Sequence, residues 1–220
     1  MKWLWKLERV FDKFAIRNLM MYIAAINLGV YLIEVLIMPG FRYYLYFDLS
    51  LFLQGEIWRI ITFIFIPPAS GIFAIIVLYF YYMIGSSLEN EWGTSKFNIY
   101  YLFGMVATII ASILTSSPAI PIYINLSLFL AFAHYYPDYQ ILLFFIIPVK
   151  IKYLGYLNWF FYAVTIITGA FPEKVFALVS LLNFFLFFYK DFFGGMSQKR
   201  KVYNNRRNYN AQIREFKKRK

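Results

Sequence analysis

The sequence lacks the side chains on which many metalloproteins and disulfide-stabilised domains depend. Among its 220 residues there is no cysteine, and His134 is the only histidine. A disulfide framework and a thiolate zinc site both need cysteine, and a multi-histidine metal site needs more than one imidazole. Charged residues are also scarce, at 15% of the chain, whereas soluble domains carry about 25%. We therefore expect a protein outside the soluble globular class, with neither metal nor cofactor.

Apolar residues dominate the chain instead, at 61%, and aromatic residues make up 23%. A helix of about 20 residues is long enough to cross the ~30 Å hydrocarbon core of a bilayer. Six apolar segments are of this kind or slightly shorter: 18–38, 71–88, 96–114, 121–135, 153–169 and 174–190. The sequence therefore predicts an all-α, polytopic membrane protein with six transmembrane helices.

The fourth of these segments is shorter than the others. Pro118, Pro121 and Pro137 leave it about 15 residues, which is too few to cross a bilayer of full thickness. This predicts a water-accessible pocket above the helix or a locally thinned membrane.

Basic residues are distributed unevenly around the segments. Six crossings place both termini on one side, and all 22 Lys and Arg residues except Arg42, Arg59 and Lys174 then fall on that side. Basic residues are retained in the cytoplasm, so both termini are predicted to be cytoplasmic. The absence of cysteine and the compact six-span form fit a multi-pass protein of a bacterial plasma membrane.

The chain divides into three regions. Residues 1–17 carry apolar side chains at helical spacing with basic ones between them, which predicts an amphipathic helix on the cytoplasmic membrane surface. Residues 18–190 form the membrane domain, and residues 191–220 form a basic tail expected to contact anionic lipid headgroups. Contact with RNA or a ribosome is the alternative for the tail. Its basic residues include Lys199, Arg200, Lys201, Arg206 and Arg207.

The first connection, residues 39–70, is apolar and aromatic but is interrupted by charge and proline. It is predicted to lie partly in the outer leaflet. Trp58 can keep its ring in the apolar zone and its N–H near water. The guanidinium of Arg59 can donate to loop carbonyls that find no partner in lipid. We expect both residues to position this loop.

The junction of the second and third segments reads GSSLENEWGTSKFNIYYLFG over residues 85–104. Glu89 precedes a helix that is predicted to begin at Thr94, and it can accept a hydrogen bond from the hydroxyl or amide of Thr94. Gly93 and Gly104 lie in the same stretch. A third notable stretch is the turn Tyr136-Pro137-Asp138 after the short fourth segment, followed by FFIIPVKIKYL.

The chain resembles the rhomboid superfamily over nearly its whole length except the tail. The resemblance rests on three stretches in this order: Trp58-Arg59, the junction at residues 85–104, and the segment that begins at Tyr136-Pro137-Asp138. The resemblance implies a six-helix rhomboid-like bundle with a membrane-associated first loop. It also implies that Trp58, Arg59, Glu89, Gly93, Thr94 and Gly104 are structural motif residues, with Glu89 as a keystone.

The catalytic residues of rhomboid proteases are missing from their expected positions. Their serine lies in Gly-x-Ser-Gly at the start of the fourth helix, where this chain reads PIYINL, and the sixth segment has no histidine. Ser127 and His134 are seven residues apart, which is about 10.5 Å along a helix, whereas a nucleophile and its base need about 3 Å. We therefore expect no enzymatic activity and a distantly derlin-like pseudoprotease.

The resemblance implies a protein that binds transmembrane helices of client proteins, in membrane-protein quality control or trafficking. An intramembrane serine peptidase with unrecognised catalytic residues is one alternative, and a small transporter is another. Polar residues within the segments bond neighbouring helices or line a cavity that contacts a client. They are Asn125, Ser127, Ser180 and Asn183, and Asn27 and Glu34 lie on the first segment.

Overall fold

The computed structural model describes residues 11–71, 73–143 and 147–188. Its α-helices are α1 (Leu19–Leu36), α2 (Leu49–Leu53), α3 (Arg59–Thr62), α4 (Phe73–Trp92), α5 (Thr94–Thr115), α6 (Ile122–Tyr135), α7 (Ile151–Thr168) and α8 (Phe171–Phe188). Two 3-10 helices, Phe41–Tyr44 and Phe63–Phe65, lie in the first loop. Most of the predicted N-terminal helix and the whole basic tail, with Lys199, Arg200, Lys201, Arg206 and Arg207, lie outside the described residues.

Every predicted apolar segment coincides with one of the longer helices. Among the described residues, four helices are long and apolar enough to cross a membrane, namely α1, α4, α5 and α8. Helix α6 has only 14 residues, and α7 has 18 residues but is not among these four. The protein is therefore mostly helical and has the composition of a membrane protein.

The prediction of an all-α fold is wrong for one segment. Strands β1 (Gln140–Leu143) and β2 (Ile147–Lys150) pair antiparallel between α6 and α7, with Gln140 opposite Lys150. Pro137 precedes the segment, Pro148 lies within it, and the segment is rich in residues that favour extended backbone, so a helix has little support there. A two-stranded ribbon consists of edge strands only, and edge strands tolerate Pro148.

Residues 1–184 and 185–220 are separate units, and the packing described here is that of the first. Its central contact joins α1 to α4. Met20 and Ile23 of α1 are buried, as are Ala74 and Leu78 of α4. A Cβ atom on Gly85 would lie 2.3 Å from Cγ of Met20, so the absence of a side chain at Gly85 allows the two helices to approach this closely.

Two features that order the first loop are the cap of helix α2 and a backbone hydrogen bond to the α5–α6 connection. Asp48 caps helix α2, because its carboxylate accepts from the amide of Ser50 at 2.8 Å. Phe47 is 1% exposed, and its carbonyl accepts from the amide of Ala119 at 2.8 Å. The loop is thereby fixed next to the start of the short helix α6.

Candidate functional site

Arg59 lies at the start of α3 and joins two parts of the first loop. Its side chain is 4% exposed, and Nε donates to the Glu56 carboxylate at 2.5 Å. Nη1 donates to the carbonyls of Tyr43 at 3.0 Å and Tyr46 at 2.8 Å. The expected contacts between this guanidinium and loop carbonyls are present. They satisfy backbone acceptors that lipid cannot satisfy.

Two further side chains, those of Thr62 and Arg42, make polar contacts in this part of the loop. Thr62 donates its hydroxyl to the carbonyl of Leu45 at 3.1 Å. Arg42 donates to both carboxylate oxygens of Glu34 at 2.5 and 2.8 Å, which ties the loop to the end of α1. That hydrogen bond from Arg42 to Glu34 raises the pKa of Arg42. Trp58 is about half exposed.

Glu89 connects three helices at the opposite end of α1. Its Oε1 accepts from the backbone amide of Asn18 at 2.8 Å and from the hydroxyl of Thr94 at 3.0 Å. The predicted contact with Thr94 is therefore present. Gly93 lies between α4 and α5 with φ of +84°, a conformation that glycine adopts without strain. The start of α1, the end of α4 and the start of α5 thus meet at one carboxylate.

Gly104 permits a close approach between helices. A Cβ atom at this position would lie 3.1 Å from the Nδ2 atom of Asn183 and 3.3 Å from Ile124. The amide of Asn183 also donates to the carbonyl of Tyr100 at 3.4 Å. Helices α5, α6 and α8 therefore pack closely around Gly104.

The other polar residues predicted near the fourth and sixth helices mostly make internal contacts. Ser127 is fully buried, and its hydroxyl hydrogen-bonds to the Tyr100 hydroxyl. Ser180 donates to the carbonyl of Tyr123 at 2.6 Å and shares a hydrogen bond with the Tyr162 hydroxyl. These contacts agree with a packing role for Ser127, Ser180 and Asn183. Contact with a client helix stays a prediction.

Three residues of this network were not predicted from the sequence. Tyr100 and Tyr162 contribute buried hydroxyls, and Asn158 of α7 donates to the carbonyl of Leu126 at 3.2 Å. With 20 tyrosines in the chain, tyrosine identity carried no signal. Asn158 alone could have been recognised, as a polar residue inside an apolar segment.

Asn125 differs from the other three predicted polar residues because it lines a cavity. The cavity lies between α1, α4, α6 and the end of the first loop. Its walls are Met20, Ile23, Ala24, Asn27, Ile64, Pro68, Leu78, Tyr81 and Asn125. A small cavity lined mostly by apolar residues, with three polar side chains among them, is thus present beside the first turn of the short helix.

His134 lies at the opposite end of α6 from Asn125. Its ring meets the Tyr135 ring edge-on, with centroids 5.6 Å apart. Seven residues of continuous helix separate it from Ser127, about 10.5 Å along the axis, and the Ser127 hydroxyl is bonded to Tyr100. The arrangement of Ser127 and His134 is not that of a nucleophile and its base.

Ion pairs join the two chain ends of the β1–β2 hairpin. Asp138 accepts from Nζ of Lys150 at 3.1 Å and from Nζ of Lys152 at 3.2 Å. The hydrogen bonds from Lys150 and Lys152 lower the pKa of Asp138 below its usual range. Because the carboxylate is exposed, the pairing positions the hairpin more than it stabilises the fold.

No protein-family model matches the chain, and no curated protein matches it significantly.

Proposed function

We propose that this chain is a rhomboid-like membrane protein, distantly similar to derlins, that binds transmembrane segments of client proteins without cleaving them. The role would be in membrane-protein quality control or trafficking. The chain would cross a bacterial plasma membrane six times, with both termini in the cytoplasm.

The rhomboid-like frame is supported by contacts at both ends of α1. The first loop is held by the guanidinium of Arg59, and the junction of α4 and α5 is held by Glu89 through Thr94. These are the residues that carry the resemblance in the sequence, and each makes a buried or half-buried polar contact of the kind the resemblance implies.

Lack of proteolysis is supported by the chemistry at α6. The residues Pro121–Leu126 contain no serine. The one serine of the helix is Ser127, and its hydroxyl is engaged by Tyr100. The axial separation of Ser127 and His134 on a continuous helix, about 10.5 Å, supports the absence of a substitute dyad.

Client binding rests on one observation, the length of α6. Its 14 residues span about 21 Å, which is about 9 Å less than the hydrocarbon core of a typical bilayer. Lipid beside this helix must thin, or water must enter above it. A client helix with a polar residue in its span would lose less hydration there than in intact bilayer.

The proposal is tested by photo-crosslinking in liposomes with two single-span test proteins. One carries an asparagine at the centre of its span and the other has an all-leucine span. A photoreactive residue replaces Ile122, which is 43% exposed on the first turn of α6. A matched control replaces Ile110, which is 50% exposed near the end of α5.

We expect the probe at 122 to label the asparagine-containing span several times more strongly than the leucine span, and the probe at 110 to label both equally. Equal labelling of both spans from position 122, or labelling of lipid alone, would argue against client binding.

A further inference from the structure

One of the residues that line the cavity beside Asn125 has a buried acceptor without a partner. Asn27 is 4% exposed, and its Nδ2 donates to the carbonyls of Ile23 at 2.9 Å and Ile64 at 3.3 Å. These two acceptors fix the orientation of the amide, because only the NH2 group can donate to a carbonyl. Its Oδ1 then has no hydrogen-bond partner among the described residues. An acceptor left in this state is costly, so buried polar atoms are usually paired with protein or ordered water.

The cavity is small and has polar groups on several sides. Its volume is about 10 Å³, which is close to the space required for the centre of one water molecule. Asn27 of α1, Tyr81 of α4 and Asn125 of α6 all line it. A buried water makes two to four hydrogen bonds, and these three side chains offer that number.

We propose that this cavity is a binding site for one resident water molecule. The water donates to Oδ1 of Asn27 and bonds the amide of Asn125 and the hydroxyl of Tyr81. The volume excludes a larger ligand. The site links the first helix to the short helix α6 across the end of the first loop. There the carbonyl of Ile64 already accepts a hydrogen bond from the Asn27 amide. This inference does not depend on client binding.

The chain offers a matched pair of substitutions for testing the water site. Ala24 lines the cavity, whereas Ala25 is exposed on the same helix. Valine at either position brings the same cost of β-branching in a helix. Only Ala24→Val places methyl groups in the cavity, where they displace a water whose hydrogen bonds they cannot replace.

The melting temperatures of both variants of the full chain are measured in mild detergent, alone and with Asn27→Leu. We expect Ala24→Val to melt about 2–4 °C below Ala25→Val. The difference should fall by at least half when Asn27→Leu removes the acceptor, since steric crowding alone would persist. Equal melting of the two valine variants, or a difference that Asn27→Leu leaves unchanged, would overturn the proposal.

A crystal structure of the unaltered protein at about 2 Å gives an independent result. We expect a density peak within hydrogen-bonding distance of Oδ1 of Asn27. An empty cavity at that resolution would also overturn the proposal.

Discussion

Replacing Arg59 with alanine should loosen the first loop. The change removes hydrogen bonds to the carbonyls of Tyr43 and Tyr46 and to the Glu56 carboxylate. Glu56 is about one-third exposed, so water can solvate it after the change. The carbonyls of Tyr43 and Tyr46 lose the buried guanidinium as their donor. They therefore account for most of the expected loss of stability.

Two estimates set the expected loss of unfolding free energy in Arg59→Ala. Side-chain hydrogen bonds in membrane proteins average about 0.6 kcal/mol each, so three such bonds give about 2 kcal/mol. Leaving a buried acceptor unpaired costs about 1–3 kcal/mol each. Because Arg59 is only 4% exposed, we expect Arg59→Ala to lower the free energy of unfolding by about 2–5 kcal/mol.

The assay is unfolding by a denaturing detergent, followed by tryptophan fluorescence, together with limited proteolysis of the first loop. Thr62→Val is the control, since it removes one hydrogen bond, to Leu45, and keeps side-chain shape. Arg59→Lys should fall between the two because a lysine ammonium lacks the guanidinium fork. If Arg59→Ala unfolds like Thr62→Val and its loop is cleaved no faster, the role assigned to Arg59 is incorrect.

Three other contacts are tested by substitution. Glu89→Leu should lower the free energy of unfolding by about 1–3 kcal/mol and Glu89→Gln by less, because glutamine retains an acceptor; equal losses would contradict this. Tyr100→Phe should cost about 0.6–1.7 kcal/mol in the same unfolding assay, and a neutral result would show that its hydroxyl bond to Ser127 contributes nothing. The carboxyl of Asp138 should titrate by NMR below the usual value of about 3.9, and its midpoint should rise when Lys150 and Lys152 are both replaced by alanine. Because the folded pKa is lowered, the stabilisation is present above the ordinary pKa and is lost as pH falls through the folded value; an unmoved midpoint would contradict the pairing.

The polar contacts at Arg59 and Glu89 could be predicted from the sequence because a charge in an apolar stretch requires a partner. Backbone carbonyls of the loop were expected to accept from Arg59, and those of Tyr43 and Tyr46 do. The donors at the start of the helix after Gly93 likewise include the hydroxyl of Thr94, which donates to Glu89. The Glu56 carboxylate and the Asn18 amide are further partners, which local chemistry did not identify.

The hairpin, the presence of Asn27 at the same cavity as Asn125, and the tyrosine network could not be predicted in this way. A short apolar run such as residues 140–149 is compatible with strand or loop, because its hydrophobicity has no clear period. The bond between Tyr100 and Ser127 depends on how α5 and α6 are rotated against each other. The placement of Asn27 and Asn125 at one cavity depends on how α1 and α6 each pack against α4. Rotation and packing of this kind are tertiary properties, which single-residue identity does not reveal.

The central claim is that the protein binds a transmembrane client and leaves it intact. The most direct measurement is the intact mass of the adduct formed from the probe at position 122 with the asparagine-containing span. The account predicts the sum of the two full-length masses, with no client fragment released. A cleaved client in the adduct or in the supernatant would contradict it, as would the absence of any adduct above the control at position 110.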